Sequence, residues 1–188
     1  MAHRWSKIRK ILEQDLLCPV LRGRVQYFCT HYHKAPDQYG RVCLRVDGKE
    51  YAKANPYSYY VNGYHIMERR LKEAQSIPCR EWEGGRFLHE EENAQVEEQV
   101  RRTAIWDGSF DICDFTQALE RYRSAPISES LSSPEPLVRM LAVLDRRVGK
   151  RTLGRLKEQL PQQPQWLQFF YRLRLEAEGM EPQTTKTL

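Results

Sequence analysis

Two histidines and a cysteine in the first third of the chain could bind a metal ion. His31 and His33 lie two residues apart in the stretch RVQYFCTHYH, whose β-branched and aromatic residues are typical of a strand. Because side chains at i and i+2 of a strand project to the same face, both imidazoles could reach one ion, and Cys43 could add a thiolate. Zinc suits such a set, and the centre would make the chain a metal-dependent hydrolase or nuclease.

The same strands could instead bind nucleic acid. We expect a register in which His33 pairs with Arg41 on the next strand. Aromatic and arginine side chains on one face of a sheet can stack on bases and bind phosphates. Four residues would then form such a face: Tyr27, His31, Arg41 and Arg45. A third interpretation is that helices cover this face and its polar residues satisfy one another.

A second basic segment lies at residues 141–157, LAVLDRRVGKRTLGRLK, where six lysines and arginines surround one aspartate. Part of this cluster is explained by helix-end chemistry, because cations stabilise the last turn of a helix. The remainder predicts a surface for nucleic acid or an acidic partner. The residues that we expect to form it are Arg146, Arg147, Lys150, Arg151 and Arg155. The segment offers few side chains that read bases, so we expect contacts to the phosphate backbone.

The net charge of +5 conceals a strong separation of charge along the chain. Residues 1–79 contain 14 lysines and arginines against 7 acidic residues, whereas residues 80–129 contain 6 against 12. Residues 137–175 contain 9 against 2. Two basic regions therefore flank an acidic one. The sequence does not show whether the basic regions share a face of the fold or are neutralised by the acidic region.

The elements that must position these residues indicate an α+β fold. We predict a small antiparallel β-meander with packed helices over residues 1–125, in which Asp47-Gly48 forms a hairpin turn. Residues 126–136, rich in Ser and Pro, read as a linker. A three-helix C-terminal unit follows over residues 137–178, and residues 179–188 are expected to be a disordered tail. The stretch 79–89 is predicted to be irregular.

Cysteine usage and hydropathy limit the classes of protein that remain. The five cysteines include no CxxC pair, which argues against a disulfide framework or a zinc ribbon. No apolar run approaches the roughly 18–20 residues of a membrane span. The first residues lack the apolar core of a signal peptide. We therefore expect a cytoplasmic protein that does not associate with membranes.

Two distinctive blocks of sequence carry a family resemblance. They are RVQYFCTHYHKAPDQYGRVCLRVDGKE and PLVRMLAVLDRRVGKRTL, and together they make up about a quarter of the chain. In these blocks the chain resembles a small family of uncharacterised bacterial cytosolic proteins. The resemblance implies a bacterial intracellular protein, and it implies no activity, cofactor or catalytic residue.

The sequence thus supports three hypotheses about function. The first is a non-enzymatic binding protein whose basic surface engages nucleic acid or an acidic protein partner, without a cofactor. The second is the metal-dependent hydrolase built on the face of His31 and His33. The third is a structural or regulatory homodimer formed through the aromatic C-terminal helix, which contains Trp166, Phe169 and Phe170.

Overall fold

The computed structural model describes residues 5–31, 40–54 and 59–180. Its architecture is α+β, with a three-stranded antiparallel sheet in the order β1-β2-β3 and a separate two-stranded hairpin, β4-β5. The strands are β1 Val25–His31, β2 Gly40–Val46, β3 Lys49–Ala54, β4 Glu81–Glu83 and β5 Arg86–Leu88. The helices are α1 Trp5–Lys10, α2 His65–Gln75, α3 Glu90–Trp106, α4 Ile112–Ser124, α5 Ile127–Leu131, α6 Pro136–Val143, α7 Lys150–Glu158 and α8 Gln165–Ala177.

The turn between β2 and β3 forms where the sequence predicts it. Asp47 has φ 50° and Gly48 has φ 79°, the pair of left-handed conformations that a two-residue turn of type I′ requires. Its backbone twist matches that of the strands it joins, so the pairing of β2 with β3 follows from local sequence. The third strand follows the turn directly and covers Lys49–Ala54.

The register of β1 against β2 differs from the predicted one. Val25 pairs with Val46 and Tyr27 pairs with Leu44, three positions away from the register in which His33 would meet Arg41. An odd shift moves every side chain of β1 to the other face of the sheet. The observed register places valines, Tyr27 and Leu44 on one buried face. It also lets Arg24 bind Asp47 at 2.8 Å just outside the strands.

One hydrophobic core joins the sheet to the C-terminal helices. Buried residues of β1 and β2 and those of α4, α6, α7 and α8 belong to the same cluster. Tyr51 on β3 stacks on Phe169 of α8, with ring centroids 3.9 Å apart. The stretch predicted to be a linker contains the short helix α5, whose residues Ile127 and Leu131 pack against this core. Its Ser and Pro content therefore marks helix boundaries and not an extended tether.

Residues 81–88 form a hairpin, so the prediction of irregular structure there was wrong. Gly84 and Gly85 have φ 59° and 83° and make the two-residue turn between Glu83 and Arg86. A Gly-Gly pair between two short strands is itself a hairpin signal, so the sequence did contain the information. Among the described residues, no helix is both long enough and apolar enough to cross a membrane.

Candidate polyanion-binding surface

The loop between α6 and α7, residues 144–149, is joined by its backbone to the N-terminal part of the chain. The amide of Cys18 donates to the carbonyl of Leu144 at 2.9 Å, and the amide of Arg146 donates to the carbonyl of Leu16 at 2.7 Å. Leu17 and Asp145 thus form an isolated antiparallel bridge. This bridge fixes the path of the loop where the basic segment begins.

Asp145 is the buried centre of the loop, with only 1% of its surface exposed. Its carboxylate accepts hydrogen bonds from the Arg147 amide at 2.7 Å, from the Arg147 guanidinium at 2.7–3.1 Å and from the Tyr122 hydroxyl. Burial, together with the neighbouring Asp145, raises the pKa of Tyr122 above its usual range. These donors compensate the cost of burying a carboxylate, which would be large without them.

A buried arginine holds the other end of the loop. Arg174 on α8 is 2% exposed, and its Nη2 donates to the carbonyl of Val148 at 3.0 Å. Its Nη1 lies 2.9 Å from Oε1 of Glu178, one turn further along. The loop is therefore fixed by a backbone bridge, by Asp145 and by Arg174, and its conformation does not need to be ordered when a ligand arrives.

Among the residues that the structure describes, the outer side of this loop and of α7 presents cations that have no acidic partner. Leu153 and Leu156 on α7 are buried, Arg151 and Arg155 lie on the opposite side of the helix, and Lys150 lies at its exposed first position. Four of these exposed cations have no carboxylate oxygen within 4.0 Å in the part of the chain that the structure describes. We call them the α7 basic surface, and they are Arg146, Lys150, Arg151 and Arg155. Arg147 differs from them because it binds Asp145.

The beginning of α7 departs from two details that the sequence suggests. A glycine after a helix often closes it in a left-handed conformation, but Gly149 has φ −81° and ψ 166° and is the N-cap residue of α7. Thr152, a residue type that is favoured at the N-cap, lies inside the first turn. The unpaired N–H groups at this helix end add a partial positive charge beside Lys150 and Arg151.

Arg22, from the first basic region of the sequence, binds the stretch of backbone with which the loop pairs. It is exposed, and its Nη2 donates to the carbonyl of Gln14 at 2.7 Å. Two residues further on, the carbonyl of Leu16 accepts from the backbone amide of Arg146. The segment 14–16 therefore accepts hydrogen bonds from the Arg22 side chain and from the main chain of the loop.

The arginines of the sheet are placed differently from the prediction, because both bind one carboxylate. Glu50 on β3 pairs with Arg45 of β2, and its Oε1 lies 3.1 Å from the Arg45 Nη2, while its Oε2 contacts Arg41. The hydrogen bond from Arg45, with the charge of Arg41, lowers the pKa of Glu50. The Arg45 guanidinium also lies over the ring of Phe28, 4.6 Å from its centroid.

Tyr27 does not take the place on the sheet that the predicted stacking platform requires. Tyr27 is 3% exposed and lies on the core face opposite Leu44, away from the face of Arg41 and Arg45, because of the shifted register. The prediction that Tyr27 stacks on bases was therefore wrong. At position 31 the structure describes the backbone alone, which pairs with Gly40.

The predicted metal site has only one member whose side chain the structure describes. Cys43 is fully buried and pairs with Phe28. The predicted register, in which His33 pairs with Arg41, would have placed Cys43 opposite His31. His33 and the side chain of His31 lie outside the described residues. Within the described ranges, no three His, Cys, Asp or Glu side chains form a group that could hold a metal ion.

The aromatic residues of α8 pack within the chain. Phe170 is 1% exposed, Phe169 stacks on Tyr51, and the Trp166 indole donates to the carbonyl of Ile105 at 3.1 Å. Trp166 and Phe169 keep partial exposure, and a homodimer through this helix stays a prediction. Sequence reasoning also missed Tyr122, Asp145 and Arg174. Only Asp145 could have been noticed in the sequence, because it is the one acidic residue among the six cations of residues 141–157.

The fold is α+β, and a buried carboxylate and a buried arginine hold the loop that leads into α7. On this loop and on α7, four exposed cations have no acidic partner among the described residues. These features define a small protein with a preformed basic surface. The chain belongs to the SF0329 protein family, whose model matches residues 4–175. The matched range includes both sequence blocks on which the resemblance rests, as well as the whole α7 basic surface. Neither the curated proteins nor the solved structures contain a match to this chain.

Proposed function

We propose that this protein is a non-enzymatic binding protein that engages the phosphate backbone of nucleic acid through the α7 basic surface. The observation that carries the proposal is the set of four exposed cations, on α7 and on the loop that leads into it, that have no carboxylate partner within the described ranges; buried groups hold this loop in place. A cation already paired within the protein must lose that partner before it binds a phosphate. An unpaired one need only release water and ions.

The shape and chemistry of α7 favour contacts to phosphates. Its nine residues span about 13 Å, which corresponds to about four phosphates along one strand of B-form DNA. Its exposed side carries arginine and lysine but no asparagine or serine that would pair with base edges. We therefore expect binding that depends weakly on sequence and strongly on salt.

The loop geometry is also what an anion-binding surface requires. Ordering a six-residue loop on binding would cost several kcal/mol of conformational entropy at about 1–2 kcal/mol per residue. Asp145 and Arg174 remove that cost in advance, because both bind the loop in the free protein. An acidic protein would meet the same cations, and the experiment below distinguishes it from nucleic acid.

The test is the binding of labelled 20-nucleotide single-stranded and duplex DNA and RNA, measured by fluorescence anisotropy between 50 and 300 mM salt. With four phosphates neutralised on a duplex, log affinity should fall with log salt with a slope of about −3.6. Affinities for two unrelated sequences of equal length should agree within about threefold. Absence of binding to every oligonucleotide at 50 mM salt would overturn the proposal and leave an acidic protein as the remaining ligand.

A further inference from the structure

A half-buried arginine, Arg139, lies on α6, the helix that packs against both α8 and α3. Its Nε donates to Oε1 of Gln163 at 3.0 Å, and its Nη1 donates to the carbonyl of Ser133. Both acceptors are neutral, and within the described ranges no carboxylate oxygen lies within 4.0 Å of the guanidinium. Burial lowers the pKa of Arg139. An anion beside this arginine would offset the cost of removing its charge from water.

An unpaired hydroxyl lies near this arginine. Tyr171 on α8 is 1% exposed, and its buried hydroxyl has no hydrogen-bond partner among the residues that the structure describes. The charge of Arg139 partly offsets the rise that burial causes in the pKa of Tyr171, so the two groups are close in space. A guanidinium only donates and cannot accept the proton of this hydroxyl. The two side chains therefore lack a common acceptor, which the oxygen of an anion would supply.

A short chain of hydrogen bonds links Arg139 to a second arginine. The carbonyl of Gln163 accepts from Nε2 of Gln168 at 2.9 Å, and Oε1 of Gln168 accepts from Nη2 of Arg172 at 2.9 Å. Arg172 is exposed, and no carboxylate oxygen in residues 5–31, 40–54 or 59–180 lies within 4.0 Å of it. Glutamine amides thus orient both arginines without neutralising them, and two positive charges remain available to a ligand.

An exposed indole lies next to the Arg139 guanidinium. Trp106, the last residue of α3, is 47% exposed, and Cζ of Arg139 lies 6.0 Å from its ring centroid. No aromatic ring of the described chain packs against this indole. Its main chain is tied to α8, because the Trp166 indole donates to the Trp106 carbonyl at 3.1 Å. An exposed ring on a fixed backbone provides a stacking surface for a planar group.

The charges and the ring together select a class of ligand. A phosphate monoester carries a charge of about −1.5 to −2 at pH 7, which matches two guanidinium groups better than the single charge of a carboxylate does. Its oxygens accept from guanidinium groups and from hydroxyls. A nucleobase stacks on an indole ring. Nucleoside monophosphates combine these two parts, and the ribose between them can span the 6.0 Å from the Trp106 ring to the Arg139 guanidinium.

We propose that Trp106, Arg139, Tyr171 and Arg172 form a binding site for a nucleoside monophosphate, which we call the Arg139 site. The base stacks on Trp106, and the phosphate accepts hydrogen bonds from Arg139 and from the Tyr171 hydroxyl. Arg172 supplies the second positive charge. The Arg139 site shares no residue with the α7 basic surface, so this inference does not depend on the proposed function.

Isothermal titration calorimetry of the full chain with the monophosphates of adenosine, guanosine, cytidine and uridine at 150 mM salt tests the inference. At least one should bind with a dissociation constant below about 1 mM. The matching nucleoside and inorganic phosphate should each bind at least about tenfold more weakly, because each provides only one half of the ligand. Absence of binding by all four nucleotides at 10 mM would overturn the inference, and so would equal affinity for inorganic phosphate.

Single substitutions locate the bound nucleotide. W106A and R139Q should each weaken binding at least about tenfold, and Y171F should weaken it about threefold. The matched controls W82A and R69Q change an exposed tryptophan and an exposed arginine elsewhere, and both should bind as the wild type does. W106A leaves the hydrogen bonds of Arg139 in place, so it tests the site even where loss of Arg139 disturbs folding, which circular dichroism measures. Wild-type affinity in W106A would contradict the proposed site.

A comparison of two variants separates this inference from the proposed function. K150E/R151E/R155E should keep its affinity for the nucleotide and lose its affinity for duplex DNA, whereas W106A should show the opposite pattern. Loss of nucleotide binding in the triple variant together with normal binding in W106A would mean that the nucleotide occupies the α7 basic surface, which would overturn this inference alone. Nucleotide binding that W106A abolishes, in a protein that binds no oligonucleotide, would overturn the proposed function alone.

Discussion

The arginines of the sheet and those around α7 come from equally basic stretches of sequence, yet the fold treats them in opposite ways. Arg41 and Arg45 are 34% and 36% exposed at their side chains and share the carboxylate of Glu50. Arg151 and Arg155 are exposed and have no carboxylate within 4.0 Å among the described residues. The difference arises because β3 places an acid beside β2, whereas Arg151 and Arg155 lie on the side of α7 that is opposite its own buried Leu153 and Leu156. A count of charges therefore does not identify a binding surface until the ion pairs are known.

The largest expected effect comes from reversing charges on the α7 basic surface. K150E/R151E/R155E should weaken binding to duplex DNA at 100 mM salt by at least 100-fold and reduce the salt slope by about 3. The matched control is R69E/R70E/R123E, which makes the same change in net charge at exposed arginines elsewhere. If both triple variants lose affinity equally, net charge and not this surface governs binding.

The second effect concerns the buried carboxylate that holds the loop. D145N should lower the free energy of unfolding by about 2–3 kcal/mol, because Arg147 loses its partner but can still reach water. Urea denaturation with an unchanged m-value measures this loss. Y122F, which removes one hydrogen bond to Asp145, should cost less, about 1 kcal/mol.

The D145N variant also tests whether a fixed loop matters for DNA binding. D145N should also weaken DNA binding at a temperature where the variant is fully folded. Unchanged affinity in a destabilised D145N protein would mean that the loop does not need Asp145 to present its cations.

A third variant would turn the paired arginines into unpaired ones. E50Q removes the carboxylate that Arg41 and Arg45 share, so the sheet should gain weak, salt-dependent affinity for DNA, raising the total by about threefold. Anisotropy titrations at 50 mM salt measure the gain. The variant E50Q/R41Q/R45Q should return to the affinity of the wild type. No gain in E50Q would mean that ion pairing is not what separates the two regions.

The smallest effect is a pH dependence confined to the sheet. Hydrogen bonding from Arg45 and the charge of Arg41 lower the pKa of Glu50 below its ordinary value of 4.5. Folded protein therefore keeps Glu50 ionised at a pH where the unfolded chain binds a proton. The stability that this pair contributes is present above about pH 4.5 and is lost as the pH falls through the lowered pKa.

Melting temperatures of the wild type and E50Q measure this effect. The gap between them should be largest at pH 6 and should narrow by pH 3. A gap that does not change over this range would show that the Glu50 pair contributes no stability that depends on its ionisation.

Sequence alone determined the elements whose signals are local. The Asp47-Gly48 turn, the third strand and the α+β class follow from residue types and their spacing, because turn conformations and periodic burial depend on near neighbours. The Gly84-Gly85 pair is a local hairpin signal of the same kind, although residues 79–89 were predicted to be irregular. The separation of charge along the chain also follows from the sequence alone. The cations of the α7 basic surface lie in residues 141–157, the segment that was predicted to form a binding surface.

Tertiary structure decided the features on which function depends. The register of β1 was set by contacts outside the hairpin, including Arg24 with Asp47 and the core beneath Tyr27, and an odd shift exchanged the faces of the strand. Which arginines are neutralised depends on the strand that lies beside them, and the role of Asp145 depends on residues 23 positions before it and 29 positions after it. Such long-range pairings have no period or local motif in the chain, because they follow from packing of the whole core.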